Sequence, residues 1–275
     1  MTDINDKTIV KITTNQIQYI KQIFNLLNPH VKEINLIFTP DGRLIINHYE
    51  ELNITINCEL NNDNCVFSEF ICNSPIPIKV GVCVPVVAST LKNSQSKSAI
   101  TMFVESPTYA NRSEIFGFSL FNTETGKITR IEFPTIDVDC EDRGEIDREF
   151  YCCIKMDSAD FLDDINQLKV NNSDTLQICY YNGVLKFFSK SGNANIEVTK
   201  ISNIDYNEEV TSGSNEHINI YVKLTKLIEI VKFSSISKRL KMLIKNNEHL
   251  ILEFDITNMG RIYFAIPTIH KPENW

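Results

Sequence analysis

The same order of predicted elements occurs twice in this chain, once on each side of an acidic segment. Each half begins with a strand that runs into an amphipathic helix, followed by a strand, a tight turn and a second strand. The turns, Asp41-Gly42 and Asn182-Gly183, lie 141 positions apart, and both residue pairs tolerate the positive φ of a two-residue hairpin. A period of about 140 residues is too long for a solenoid and indicates two similar domains.

The acidic segment spans residues 137–150, DVDCEDRGEIDREF. Seven of its fourteen residues are Asp or Glu, and its few apolar residues follow no helix or strand period. Such a composition is typical of an exposed link. We therefore predict an N-terminal domain at residues 1–136, a connector at 137–150 and a C-terminal domain at 151–275.

Each predicted domain contains two short helices with one apolar stripe. The stripes comprise Ile17, Ile20, Phe24 and Leu27 in the first helix, Val84, Val87 and Leu91 in the second (Pro85 to Leu91), Phe161, Leu162, Ile165 and Leu168 in the third, and Leu224, Leu227, Ile228 and Val231 in the fourth (Val222 to Val231). In the predicted strand Leu52 to Leu60, apolar residues (Leu52, Ile54, Ile56 and Cys58) alternate with polar ones (Asn53, Thr55 and Asn57), as in a sheet with one solvated face. The prediction is an α+β fold, in which each domain has antiparallel sheets and two short helices on one side.

Composition restricts the class of protein. With 43% hydrophobic and 23% charged residues, the chain has the composition of an ordinary globular protein. No run is long enough to span a bilayer, and the N-terminus lacks the layout of a signal peptide, so we expect no membrane contact and an intracellular location. The eight cysteines are then most simply reduced thiols. Their spacing predicts no metal site, and no cofactor is expected.

Catalysis is not indicated by any motif. The five histidines have no nucleophile motif around them, and no phosphate-binding glycine loop followed by lysine occurs. The paired carboxylates lie in the acidic segment, where exposed charge is the ordinary interpretation. An enzyme is the alternative class, and we expect the protein not to be one.

Three stretches resemble a known family. FYCCIKMDSADFLDDINQL, NANIEVTKISNIDYNEEV and LILEFDITNMGRIYFAIP are similar to DNA sliding clamps of the proliferating cell nuclear antigen family. The resemblance implies a closed ring of three identical subunits that encircles duplex DNA, with sheets outside and helices lining the hole. It further implies a processivity factor that tethers replication and repair proteins. Implied partners are duplex DNA without sequence preference, a DNA polymerase, other clamp-binding peptides and a clamp loader.

The resemblance implies that basic residues on the helices face DNA. Matching positions are Lys21, Lys92, Lys169, Lys223, Lys226 and Lys232. The alternative is that these lysines are an ordinary solvated helix surface. The third helix departs from the family pattern, because Asp160, Asp163 and Asp164 are expected on its outer face.

A partner-peptide pocket and a subunit interface are also implied. The pocket positions are His48, Ile54, Ile146, His249, Leu250, Phe264, Ile266 and Pro267. Simple core packing is the alternative for Ile54, Leu250 and Phe264. The interface would pair the last strand of the first domain with a second-domain strand of the next subunit, through Lys127, Thr129, Ile131, Phe133, Ile196 and Val198.

Two alternatives keep the fold and change the assembly. Related clamps form checkpoint rings of different subunits, and some viral processivity factors act without closing a ring. The Asn- and Ile-rich composition hints at an AT-rich genome, such as that of a large DNA virus. The expected site of action is the nucleus, or a cytoplasmic replication site if the protein is viral.

Overall fold

The computed structural model describes residues 7–49, 54–61, 66–92, 94, 98–106, 114–138, 152–169, 173–182, 184–191, 194–201, 217–244, 249–256 and 258–272. These residues fall into two compact units. Unit 1 lies within Met1–His48, Asn57–Cys140 and Asn258–Gly260, and unit 2 within Tyr49–Ile56, Glu141–Thr257 and Arg261–Trp275.

Unit 1 combines two antiparallel sets of strands with two helices. In chain order its elements are β1 (Thr8–Thr14), α1 (Ile17–Leu27), β2 (Glu33–Phe38), β3 (Arg43–His48), β4 (Thr55–Asn61), β5 (Glu69–Cys72), β6 (Ile78–Cys83), α2 (Val84–Lys92), β7 (Ser98–Glu105), β8 (Ile115–Asn122) and β9 (Ile128–Phe133). One sheet has the order β5-β1-β7-β8-β9, and the other strands follow the order β4-β3-β2-β6. Its core contains the rings of Phe38, Phe116, Phe118 and Phe133, with centroids 5.1 to 6.4 Å apart in the contacting pairs.

Unit 2 has the same plan. Its elements are β10 (Cys152–Asp157), α3 (Ser158–Lys169), β11 (Thr175–Tyr181), β12 (Val184–Ser191), β13 (Ala194–Ile201), β14 (Ile218–Lys223), α4 (Leu224–Ile230), a 3-10 helix (Val231–Ser235), β15 (Arg239–Ile244), β16 (Leu250–Ile256) and β17 (Gly260–Ile266). The strands follow the orders β10-β15-β16-β17 and β13-β12-β11-β14. Phe233, Phe254 and Phe264 form the aromatic part of this core.

The duplication read from the sequence extends to sheet topology. The order β1-β7-β8-β9 in unit 1 corresponds to β10-β15-β16-β17 in unit 2, and β4-β3-β2-β6 corresponds to β13-β12-β11-β14. Within the described residues, β5 has no counterpart in unit 2. The predicted α+β class, with antiparallel sheets and two short helices per half, is therefore confirmed.

Two strands that the sequence pattern does not predict, β6 and β14, lead directly into α2 and α4. Their apolar residues run without a break into those of the following helix, so a period cannot separate strand from helix there. The predicted fourth helix, Val222 to Val231, is correspondingly shorter and begins at Leu224. Its last predicted turn is the 3-10 helix, in which Val231 remains buried.

A Pro-Thr-Ile tripeptide follows the last strand of each unit, and we call these tripeptides straps. They are residues 134–136 after β9 and residues 267–269 after β17. In unit 1 the Ile136 amide donates to the Gly81 carbonyl of β6 at 3.1 Å, and in unit 2 the Ile269 amide donates to the Tyr221 carbonyl of β14 at 2.8 Å. Each strap thus covers one point on the edge of the strand that precedes the second helix.

Candidate functional site

Three predicted interface residues of the first half, Thr129, Ile131 and Phe133, lie on β9, which is the last strand of its sheet, and Lys127 directly precedes this strand. Thr129, Ile131 and Phe133 alternate with Ile128, Arg130 and Glu132, and they stand opposite Leu120, Phe118 and Phe116 on the core side of β8. Phe133 is buried and Ile131 half-buried, whereas Lys127 and Thr129 are exposed. Because β9 has a strand on one side only in the described part of unit 1, its other edge can pair with a further strand.

The predicted interface residues of the second half lie on β13, which is also the last strand of its set. Ile196 and Val198 stand opposite Ser189 and Phe187 of β12, whose side chains are fully buried. Ile196 and Val198 are themselves half-buried, since no strand covers the far side of β13 within the described part of unit 2. Both predicted strands are therefore sheet edges with half-buried apolar residues on the core side.

Lys21 of α1 is engaged in the structure of unit 1. Its ammonium donates to the carbonyl oxygens of Lys92 at 2.7 Å and Ser94 at 3.2 Å, at the end of α2. Carbonyls at a helix C-terminus have no partner within the helix, and a cation stabilises them. Lys21 therefore acts as a cap for α2, while the Lys92 side chain is exposed.

Asp164 of α3 does not lie on the outer face of its helix, and that prediction is wrong. Its side chain is buried, with a relative exposure of 6%, and its carboxylate forms an ion pair with the Lys200 ammonium of β13. Burial raises the pKa of Asp164, and the neighbouring Lys200 opposes this shift. Asp160, Asp163 and Lys169 are exposed as expected.

The three lysines of the fourth helix region differ in their surroundings. Lys223 immediately precedes α4 and is exposed, and Lys226 is half-buried. Lys232 lies in the 3-10 helix and forms an ion pair with Glu229. Among the described residues, Lys92, Lys169 and Lys223 have exposed side chains without an ion-pair partner, so they are the most available cations of the predicted set.

The predicted pocket residues are only partly accessible. Phe264 has 0% exposure, and its ring centroid lies 4.7 Å from that of Phe233 and 6.1 Å from that of Phe254. Leu250, Ile266 and Ile54 are also buried. His249 is exposed, Pro267 and His48 are half-buried, and Ile146 lies outside the described residues.

Strand alternation explains the distribution in unit 2. Ile262, Phe264 and Ile266 share one side of β17, the side of the Phe233 and Phe254 rings. Tyr263 and Ala265 therefore point to the other side, where they form a buried cluster with Cys153, Leu243 and Ile251. This second apolar side of the sheet was not predicted, although the unbroken apolar run Tyr263 to Ile266 is the pattern of a strand buried on both sides.

Two further observations concern metal binding and membrane-spanning helices. In the part of the chain that the structure describes, no group of three or more His, Cys, Asp or Glu residues could hold a metal ion. Over the same residues, no helix combines the length and the apolar character needed to cross a membrane.

The comparison with known families agrees with the architecture. Residues 144–269 match the family model described as proliferating cell nuclear antigen, C-terminal domain. The matched range includes every described element of unit 2 from β10 to the strap at 267–269, and unit 1 repeats the same strand and helix order. Residues 144–269 therefore form a domain of the proliferating cell nuclear antigen family, and this match supports a sliding clamp of that family.

Proposed function

We propose that the protein is a DNA polymerase processivity factor that closes into a homotrimeric ring around duplex DNA. The observation that carries the proposal is the pair of sheet edges that no described residue covers with a strand, β9 in unit 1 and β13 in unit 2. One chain presents two different edges, and head-to-tail joining of different surfaces produces a ring when the rotation closes. The protein then acts as a scaffold, and tethering replaces catalysis.

Contact with DNA in this proposal is weak and independent of sequence. The cations available on the helices or directly beside them are few: Lys92 in unit 1, and Lys169 and Lys223 in unit 2, with Lys226 half-buried. Asp160 and Asp163 of α3 oppose them. A ring that is held on DNA by topology does not require a strong phosphate grip, so a nearly neutral helix surface is compatible with sliding.

Partner peptides are proposed to bind unit 2 at one end of the β16–β17 hairpin. His249 directly precedes β16 and Pro267 directly follows β17, so both lie at the same end of this hairpin, and both are accessible. In this arrangement Leu250, Phe264 and Ile266 support the surface from the core and do not contact the peptide themselves. Clamp loader and polymerase are the expected sources of such peptides.

The experiment combines mass and topology. Light scattering after size exclusion should give three times the chain mass of 31.5 kDa at micromolar concentration. A loaded ring should remain on nicked circular DNA through a high-salt wash and leave after the circle is linearised. A monomer would support a processivity factor that does not close, and assembly only with other subunits would support a checkpoint-type ring.

The matched variants place a charge at the proposed interface. Ile131→Asp and Ile196→Asp each introduce a carboxylate beside the half-buried apolar side of an edge strand, and each should yield a folded monomer. Thr101→Asp, in the interior of the β5-β1-β7-β8-β9 sheet, is the control on a strand that is not an edge. Wild-type protein that stays monomeric, or edge variants that remain trimeric, would contradict the proposed ring.

A further inference from the structure

The two edge strands carry charges on the side that faces away from the core. On β9 these outward residues are Ile128, Arg130 and Glu132, and on β13 they are Asn195, Glu197 and Thr199. Outward residues of two strands that join into one sheet become direct neighbours. Their charges can therefore select one register among the possible ones.

Arg130 is held in place at the middle of β9. Its guanidinium carbon lies 4.0 Å from the centroid of the Phe103 ring, and its nitrogens contact Glu105 at 2.8 Å and Glu132 at 3.1 Å. The side chain is still 45% exposed. Since an arginine has five donors, Arg130 can donate a hydrogen bond to a further carboxylate while it keeps these partners.

Glu197 has the complementary position on β13. Its carboxylate accepts from the Lys186 ammonium at 2.7 Å and from the Thr199 hydroxyl at 2.9 Å. These hydrogen bonds, led by the one from Lys186, keep the pKa of Glu197 below its ordinary value, so the group is ionised at neutral pH. The carboxylate is 47% exposed and has unused acceptor positions.

An internal template for the register exists in unit 1. There the Asn61 amide at the end of β4 donates to the Met259 carbonyl at 2.9 Å, immediately before β17. By the duplication, β4 corresponds to β13 and β17 to β9. When the last residues of corresponding strands are aligned, Asn61 corresponds to Ile201 and Ile266 corresponds to Phe133, so Met259 corresponds to Gly126. The Asn61–Met259 pair therefore predicts that Ile201 lies opposite Gly126 of the partner subunit. Continuing antiparallel from that pair brings Arg130 opposite Glu197.

We infer that β9 of one copy pairs with β13 of the next in the register that sets Arg130 opposite Glu197 of the partner subunit. On the core side the same register sets Ile131 opposite Ile196 of the partner subunit and Thr129 opposite Val198 of the partner subunit. All six residues of β9 then have a partner in residues 194–199. This inference rests on the proposed ring and adds its register.

The competing registers differ by two residues, because a shift by one would exchange the two sides of a strand. A shift in one direction sets Glu132 opposite Glu197 of the partner subunit, and like charges directly opposite are destabilising. A shift in the other direction sets Ile128 opposite that carboxylate and extends Glu132 and Phe133 beyond Ala194, the first residue of β13. The inferred register therefore has the best charge match, and it keeps all six residues of β9 paired with residues of β13.

Cysteine cross-linking tests the register directly. A chain with both Ile131→Cys and Ile196→Cys should oxidise to covalent trimers, because directly opposite residues have Cα atoms about 4.5 to 5.5 Å apart, within disulfide range. A chain with Ile131→Cys and Val198→Cys should cross-link at least about tenfold less, since diagonal neighbours lie about 7 to 8 Å apart. The single variants control for the native thiols. Preferred cross-linking of the second pair, with trimers intact, would overturn the register and leave the proposed function standing.

A double-mutant cycle tests the charge pair. Arg130→Gln and Glu197→Gln should each raise the trimer dissociation constant. The dissociation constant of the double variant should be about fivefold lower per interface than the product of the two single effects predicts. Each single variant also loses a contact within its own chain, Arg130 with Glu105 or Glu197 with Lys186. The double variant loses both of these contacts as well, so their effects cancel in the cycle. Glu33→Gln, at an exposed carboxylate of β2, should show no coupling to Arg130→Gln. Additive effects at Arg130 and Glu197 in a protein that is trimeric would contradict the pair, whereas a wild-type chain that never associates would contradict the ring itself.

Discussion

Truncation of Phe264 to alanine should cost unit 2 a large part of its stability. The side chain has 0% exposure and packs against the rings of Phe233 and Phe254, with centroids at 4.7 and 6.1 Å. Removing a fully buried phenylalanine from such a position destabilises a domain by about 3–5 kcal/mol, through lost transfer free energy and the cavity that remains. Because whole domains are stable by only about 5–15 kcal/mol, this loss should be plain in any unfolding measurement.

The assay should follow unit 2 separately, since a chain with two units need not unfold in one step. Native-state hydrogen exchange on β16 and β17 measures the free energy of local opening. Calorimetry with a clamp-binding peptide from the polymerase measures the affinity of the peptide-binding surface. Phe264→Leu is the matched control and should cost less than about 1.5 kcal/mol, since it keeps most of the volume. If the amides of Phe264→Ala exchange like those of the wild type and the variant loses only peptide affinity, then the Phe264 side chain binds the peptide and our assignment of it to the core is wrong.

Three further predictions concern unit 1, the buried ion pair and the DNA contact. Gly81→Ala should destabilise unit 1 by about 1–3 kcal/mol in urea unfolding, because a Cβ there would lie 2.1 Å from the Ile136 carbonyl oxygen. Lys79→Ala, two residues earlier on the same strand, should change the stability little. Asp164 has a pKa raised above 3.8, so its folded form holds a proton more tightly than the unfolded chain. Its contribution to the free energy of unfolding is therefore fully present at pH values below the unfolded pKa of 3.8 and is lost as the pH rises through the pKa of the folded state. The unfolding free energy of wild type relative to Asp164→Asn should fall over this window, and an unchanged difference would contradict the burial of the carboxyl group. Asp163→Lys should strengthen duplex binding and steepen the salt dependence by up to about one unit of slope, measured by fluorescence anisotropy, and no change would mean that α3 does not face DNA.

The sequence alone determined the repeated plan and its turns. Asn182 and Gly42 adopt positive φ, 48° and 90°, at the two predicted hairpins, because those residue types tolerate a conformation that others avoid. The Asn258-Met259-Gly260 turn has the same local cause, with φ of 60° and 143° at its outer residues. Helix stripes at spacings of three and four likewise identified the buried side of α1 without reference to any partner.

The sequence pattern within one helix was not sufficient where the same pattern fits both an exposed and a buried side chain. Asp164 follows Asp163 on a helix whose outer side is acidic, and nothing within α3 distinguishes the exposed carboxylates from the buried one. Only the position of Lys200 on β13, 36 residues later in the chain, makes burial of Asp164 tolerable. A partial signal existed, since alternation sets Lys200 on the same side as Ile196 and Val198.

Tertiary structure decided which side of a strand carries which role. The run Tyr263 to Ile266 is apolar at every position, so its period cannot say which residues support the core and which face the other side of the sheet. Lys21 is a comparable case, because only the approach of α2 converts a surface lysine into a cap for the Lys92 carbonyl. Backbone preference is a property of a residue and its sequence neighbours, and the local sequence therefore predicts it. Burial and charge pairing are properties of distant segments brought together, and only the assembled sheets and helices specify them.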